Sequence, residues 1–291
     1  MQVQMLTWEN SEFPKQLKKI PKPPKQIYVL GNTKLLNTPC LAMVGSRNGT
    51  DYGEKMAKQF AQELCHYGIT IVSGLALGID SYSHEGALTG EGKTIAVLPS
   101  GINHIYPSQN KLLANKIVKQ NGLVISEYPP NEKAKQNYFL ARNRIVCGLS
   151  LGTFVIEGAK RSGTSVTAKL TKEQGKPVFC LPSSLENGKG YTPNHLIQQG
   201  AHLVMKVEDI IQAFPEYEFR KNNRKRKRKV SQQEEDPFLN YFSDVPIHIN
   251  ELAEKTGKRV ENLSFSLMKL QLEGKIQELP GKNFVRTDEF F

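Results

Sequence analysis

No apolar run in these 291 residues approaches the roughly 20 that a helix needs to cross a bilayer. The first residues include Glu9, Glu12 and Pro14 and no apolar core, so a signal peptide is not expected either. Cysteine is scarce. Cys40, Cys65, Cys147 and Cys180 lie far apart with no CxxC pair, and three of them sit in or beside apolar runs. Buried, reduced thiols in a cytoplasmic chain are therefore expected, rather than disulfides or zinc. His84-Glu85 lacks the second histidine of a zinc motif, and the other histidines are scattered, so no metal site is expected.

The common nucleotide signatures are missing too. The first glycine turn is Gly45-Ser46-Arg47, not GxGxxG, and Cys65 stands where a ribose-binding acid would come about 20 residues on. Gly92-Lys93-Thr94 resembles the end of a P-loop, but Ala87 replaces its first glycine and the segment precedes a strand. Gly148-Leu149-Ser150-Leu151-Gly152 fits GxSxG, yet a helical run comes before it and a strand after, the reverse of a nucleophile elbow. No nucleophile, base and metal cluster is assembled anywhere, so no catalytic residue, no cofactor and no turnover are expected.

Positive charge is what the chain has in excess, with a net +11. Arg220 to Lys229 carries eight basic residues, residues 230–244 hold four acids and no bases, and residues 245–291 hold seven of each sign. Residues 1–219 therefore carry +7 of their own. That suits a polyanionic partner, a solvated basic face being the plain alternative.

Apolar runs predict strands at 41–45, 69–73, 94–98, 123–126, 152–156, 177–181 and 202–205, most of them separated by helical runs. That alternation predicts an α/β fold, a Rossmann-like doubly wound and mostly parallel sheet, over residues 41–215. Residues 1–40 read as an arm packed on the core, with Tyr28-Val29-Leu30 as a short edge strand. Residues 216–236 read as a charged, disordered linker. In 237–291, a helix from Ile249 to Lys255 stops at Gly257. Val260, Leu263, Leu267 and Leu270 mark one face of a second helix, which stops at Gly274, and a hairpin follows. Helix, turn, helix, hairpin is a winged-helix pattern, and its balanced charge argues against strong DNA binding of its own.

Glycine turns at strand ends that open helices are anion sites, because free backbone N–H groups and the helix dipole converge there. Gly45-Ser46-Arg47 is the first such turn and Ser73-Gly74-Leu75-Ala76 the second. Lys160-Arg161-Ser162-Gly163-Thr164-Ser165 is a third, and Leu98-Pro99-Ser100-Gly101 with Tyr106-Pro107 caps a fourth strand. Tyr138-Phe139-Leu140-Ala141-Arg142-Asn143-Arg144 adds aromatics that stack bases and arginines that bind phosphate. A helix start with exposed arginines and Phe139 in the core is the plain alternative. The candidate nucleic-acid-binding residues are therefore Gly45, Ser46, Arg47, Gly74, Phe139, Arg142, Asn143, Arg144, Lys160, Ser162, Gly163 and Thr164.

In this order these blocks resemble the DNA-processing protein A (DprA, or Smf) family of bacteria. The matching set is Val44 to Arg47, Ser73 to Asp80, Leu98 to Gly101, Tyr106-Pro107, Ser126 to Pro130, Phe139 to Ile145, Glu157, Ser162 to Thr164, Gly175 to Phe179 and Asn194 to Ala201. The resemblance spans about residues 15–210 and extends more loosely to the winged helix. It implies an extended Rossmann fold that binds single-stranded DNA, forms a homodimer and helps load the RecA recombinase during natural transformation. It implies that Arg47 holds a phosphate, that Phe139 stacks a base, and that Arg142 and Arg144 line the same pocket. Pro182-Ser183 stands where the family usually has Pro-Gly, and the basic run 220–229 is outside the family pattern. Two other classes stay open: a nucleotide-processing enzyme of the phosphoribohydrolase type, and a nucleotide-sensing Rossmann protein. Against the first, Glu157 falls one residue too far from Gly152-Thr153 to complete GTxxE, and Leu151 stands where a glycine is expected.

Overall fold

A computed structural model describes residues 2–90, 92–160, 162–219, 237–243, 245–272 and 275–286. Arg161, Gly274 and the linker from residue 220 to 236 lie outside the described residues. The chain divides into two units, residues 1–223 and 224–291.

The first unit is built on one nine-stranded sheet. In chain order its elements are β1 (Gln4–Thr7), β2 (Gln26–Gly31), β3 (Cys40–Val44), α1 (Asp51–His66), β4 (Thr70–Ser73), α2 (Ile79–Thr89), β5 (Thr94–Leu98), α3 (Lys111–Lys119) and β6 (Leu123–Ser126). They continue with α4 (Gln136–Leu149), β7 (Thr153–Val155), α5 (Gly163–Glu173), β8 (Val178–Cys180), α6 (Tyr191–Gln198), β9 (His202–Leu203) and α7 (Val207–Ile211). The strand order is β1-β2-β6-β5-β4-β3-β7-β8-β9. From β6 to β9 every pair is parallel, while β2 joins β6 and β1 joins β2 antiparallel. The expected doubly wound sheet is present. The amino-terminal segment adds two strands to it, of which only the second is expected from its residues.

The parallel strands read as unbroken apolar runs because both of their faces are covered. On one face Leu41, Met43 and Ile71 meet Ala57, Phe60, Ala61 and Leu64 of α1, together with Val207 and Ile210 of α7. That i, i+3, i+4, i+7 spacing is one stripe of a helix. Burying Phe60 and Leu64 contributes about 1.5–3 kcal/mol each. On the other face Ala42, Val44, Val72 and Ile95 meet Ile145, Val146 and Leu149 of α4, Ala168 of α5 and Leu196 of α6. Phe13, Leu17 and Leu36 of the amino-terminal segment close that face.

The chain leaves β3 toward β4, β5 and β6 on one side, then returns to β7 on the other. This reversal opens a crevice at the carboxyl ends of β3, β4 and β7, where ligands bind in open α/β sheets.

The second unit holds β10 (Ile247–His248), α8 (Ile249–Thr256), α9 (Val260–Leu272), β11 (Ile276–Leu279) and β12 (Asn283–Arg286), with sheet order β10-β12-β11. Gly257 ends α8 at φ 66°, the left-handed conformation that suits glycine. Leu263, Leu267 and Leu270 of α9 are buried with Leu252, Ile276 and Phe284. This is the winged helix that the apolar spacing predicts.

Candidate nucleic-acid interface

An open groove of about 430 Å³ lies in the crevice. Gly45, Ser46 and Arg47 after β3, Gly74 after β4, Phe139, Arg142 and Asn143 of α4, and Ser162, Gly163 and Thr164 at the start of α5 all line it. Arg144 and Lys160 do not.

Each loop is held differently. Gly78 adopts φ 75°, and a Cβ there would strike the Ser46 carbonyl oxygen. The Ile79 N–H donates to that same carbonyl at 3.1 Å. The first and second loops are thus locked together by backbone, and only glycine fits the junction.

Carboxylates already engage amides at the start of α1 and in the second loop. Thr50 caps α1 by accepting from the Gly53 N–H at 3.1 Å. The Glu157 carboxylate accepts from the Thr50 N–H at 3.0 Å and from the Thr50 hydroxyl. A buried carboxyl group therefore already sits beside the first turn of α1. In the second loop the Asp80 carboxylate accepts from the Gly74 N–H at 3.1 Å and the Ala76 N–H at 3.4 Å. Burial holds the Asp80 carboxyl above its ordinary range, the Arg142 guanidinium and the two amides pulling the other way. The third loop differs. Among the described residues no side chain caps α5 at Ser162, and a Cβ on Gly163 would meet none of them within 4 Å.

The three arginines have three different fates. Arg47 is exposed and has no ion pair or side-chain hydrogen bond among the described residues. Its guanidinium carbon stands 5.4 Å from the centroid of the Phe139 ring. Arg142 is buried and donates to the carbonyls of Gly74 and Val97, the ends of β4 and β5. Its Nε also donates to Asn143 Oδ1 at 3.1 Å. A Cβ on Gly74 would strike its guanidinium. Burial lowers the Arg142 guanidinium from its ordinary value, and Asp80 opposes that. Arg142 therefore pins the groove floor through Nη1 and Nε, while Nη2 has no hydrogen bond among the described residues. Arg144 gives one nitrogen to both Glu127 carboxylate oxygens at 2.5 Å. Its charge is neutralised at the end of β6, away from the groove. Lys160 turns to the far side of α5, where its amine lies 5.5 Å from the Tyr191 ring.

Phe139 is half-buried and meets the exposed Tyr106 edge-on at 5.1 Å between centroids. With Arg47, Pro99 and Pro107 these rings line a smaller recess beside the groove. Asp80 and Tyr106 are not among the expected binding residues, although both lie in blocks singled out from the sequence. Glu157 does not line the groove. Among the described residues no group of His, Cys, Asp or Glu is placed to hold a metal ion, and no helix is long and apolar enough to cross a membrane.

Comparison with known proteins gives a consistent result. Residues 4–215 match the family model for DNA recombination-mediator protein A, and residues 224–282 match that of the DprA winged helix domain. The DNA processing protein DprA of Bacillus subtilis is 40% identical over 208 residues, covering 71% of this chain and 70% of that protein. Protein Smf of Escherichia coli is 37% identical over 291 residues, covering 94% of this chain and 75% of the relative. Among solved structures, DNA processing protein A of Streptococcus pneumoniae superposes with a TM-score of 0.69 at 37% identity, over 76% of this chain and 75% of that one. The Helicobacter pylori protein, described for its single-stranded DNA binding mode, superposes with a TM-score of 0.65 at 36% identity, over 74% and 96%. By sequence over nearly its whole length and by the fold of its main unit, this chain belongs to the DNA recombination-mediator protein A (DprA/Smf) family.

Proposed function

We propose that this protein binds single-stranded DNA in the groove between Arg47, Phe139 and the start of α5. It acts as a mediator that protects incoming DNA and helps load the RecA recombinase in natural transformation and recombination. It works by binding, without turnover, as a homodimer in the cytoplasm. One observation carries the DNA-binding part: an exposed guanidinium laid over a half-buried aromatic ring at the lip of an open groove. That pairing offers a phosphate contact and a base-stacking face within reach of each other, and stacking requires unpaired bases. The Helicobacter pylori relative, described as binding single-stranded DNA, supports the same reading. RecA loading and the homodimer rest on the family resemblance, and the compartment rests on the cysteine pattern.

Two observations favour binding over catalysis. Glu157, the carboxylate a phosphoribohydrolase reading would use, is buried and engaged at the start of α1. Asp80 is buried and engaged by the second loop. Of the expected site residues, Arg47, Phe139 and the Ser162-Gly163-Thr164 turn would touch DNA. Arg142, Asn143 and Gly74 would shape the floor, and Arg144 would hold α4 to β6.

The test is fluorescence anisotropy with labelled oligothymidine, competed by mononucleotides, on the wild type and Arg47→Ala. Polymer binding that mononucleotides barely disturb, and that Arg47→Ala weakens while the protein stays folded, is expected. Tight mononucleotide binding, or full oligothymidine affinity in the variant, would remove the groove from this role.

A further inference from the structure

From Gly92 to Ser126 the chain holds no Asp or Glu, and α3 lies within that stretch. Lys111, Lys116 and Lys119 of α3 are exposed, and none has an ion pair or side-chain hydrogen bond among the described residues. At about 100° per residue, Lys111, Asn115, Lys119, Leu112 and Lys116 fall in that order within an arc of about 140°. Leu112, on the same arc, is 81% exposed. The elements packed against α3 bring little negative charge to it. β2, β5 and β6 have no carboxylate, Asp80 of α2 is buried and engaged by the second loop, and Glu85 of α2 pairs with Lys58 at 3.0 Å. Lys116 and Lys119 stand one turn apart, where like charges repel.

This basic face begins at the groove. Tyr106 and Pro107 line the recess beside it with Arg47 and Phe139, and one short turn, Ser108–Asn110, leads from Pro107 into Lys111. Asn110 is buried, and its side-chain amide donates to the Leu75 carbonyl and the Ser81 hydroxyl at 2.8 Å each. The start of α3 is thereby fastened to the second loop and to the start of α2. From Lys111 to Lys119 the helix rises about 12 Å away from the recess. At its far end Lys93 donates to the Gln120 carbonyl at 3.1 Å and adds a fourth cation.

Resting on the reading of the groove as a single-strand site, we propose that the strand leaves the recess past Tyr106 and runs down the exposed face of α3. There Lys111, Lys116 and Lys119 meet three of its phosphates, and Leu112 gives an apolar contact to a sugar or base. Continuity favours nucleic acid as the occupant, because the basic face opens onto the ring and guanidinium that hold the strand. An anionic lipid surface is the other chemistry that lysines around an exposed leucine would suit. Membrane binding scales with buried apolar area, however, and α3 offers one strongly exposed apolar side chain.

The experiment compares two oligothymidines, one that fills the groove alone and one long enough to reach Lys119. The variants are Lys111→Gln with Lys116→Gln and Lys119→Gln, then Leu112→Tyr, then Arg47→Ala. A control triple, Lys15→Gln with Lys19→Gln and Lys34→Gln, removes equal charge from the amino-terminal segment, whose Leu17 and Leu36 pack on the sheet face opposite α3. The α3 triple should weaken the long oligomer several-fold and lower its salt slope by about 2.1, three phosphates at about 0.7 each. It should leave the short oligomer unchanged, which also shows that the variant is folded. The control triple should leave both lengths unchanged, and Arg47→Ala should weaken both. Leu112→Tyr should cross-link to a 5-iodouracil in the long oligomer, at a position offset from the one that reaches Phe139. Equal losses at both lengths in the α3 triple, none at either, the same loss in the control triple, or no cross-link would overturn the α3 path and leave the groove reading standing. If Arg47→Ala leaves both lengths bound at full affinity, the groove reading fails and the path fails with it. Phosphatidylglycerol vesicles that the wild type binds and the α3 triple does not, with long oligothymidine unaffected, would assign α3 to a lipid surface and overturn the proposal.

Discussion

Phe139 has Tyr106 at its edge and Arg47 across its face, with its ring only half covered. A ring so placed loses little packing when removed but takes a stacking platform with it. Phe139→Ala should weaken oligothymidine binding by about 1–3 kcal/mol. Its stability should fall only modestly, the aromatic pair itself being worth about 0.5–1.5 kcal/mol. Titration and melting of the same sample check this, and a large midpoint drop with intact binding would place Phe139 in the core. His84 makes a different kind of statement. It is fully buried, with Nδ1 2.6 Å from the Thr94 hydroxyl and Nε2 without a partner among the described residues. Burial, then the nearby Arg142 charge, pushes its pKa down from 6.5 to about 3. Between those values the unfolded chain takes up a proton that the folded chain refuses. The contribution is therefore present above pH 6.5 and is lost as pH falls toward about 3, at up to about 1.4 kcal/mol per pH unit. His84→Asn keeps a polar atom near Thr94 and removes the titration. Its stability should fall less steeply than the wild type across that window in urea melts. Parallel slopes would show that other groups carry the acid sensitivity.

At the scale of elements, the parallel strands were legible because a strand covered on both faces must be an apolar run, as in Leu41 to Val44 and Thr94 to Leu98. β1 was not legible: in Gln4–Thr7 the adjacent apolar pair Met5-Leu6 gives no strand alternation, and only Leu6 is buried. The loops show a deeper limit. Their glycines mark them as anion sites, but what fills them is a tertiary matter. Asp80 reaches back six residues and Glu157 comes from a strand end 107 residues away. The arginines of α4 were equally ambiguous, since sequence does not reveal that Glu127 claims Arg144 while two strand-end carbonyls claim Arg142. The Glu157 carboxylate gives an element-scale prediction. Glu157 joins the start of α1 to the end of β7, and Asn187 of the loop after β8 donates to it at 3.4 Å. Glu157→Gln keeps the shape but turns one acceptor into a donor facing the Thr50 cap. It should cost about 1–3 kcal/mol in denaturant melts, with oligothymidine affinity unchanged below the transition. Release of free base from AMP by the wild type, abolished in Glu157→Gln, would instead revive the enzyme reading.

For the whole molecule, positive charge comes from two sources that should act differently. Arg220 to Lys229 supplies eight basic residues in sequence, outside the described residues. The first unit supplies a shaped groove with Arg47 over Phe139. A run of basic residues gains affinity from phosphate alone, so it does not distinguish single strands from duplex. A ring beside a guanidinium does distinguish them, because a base must be unpaired to stack on it. Replacing the basic residues of 220–229 with Ser and Gly should lower the salt slope, at about 0.7 for each phosphate no longer neutralised on single strands. It should weaken single- and double-stranded binding alike and leave the preference for single strands intact. Arg47→Ala with Phe139→Ala should do the reverse, eroding the preference while changing the slope by about 0.7, the share of a single phosphate. Salt titrations of both variants against oligothymidine and a duplex of equal length separate the two. If the linker variant loses the preference while the groove variant keeps it, the strand is read outside the crevice, and the groove's glycine loops serve only to hold the sheet ends together.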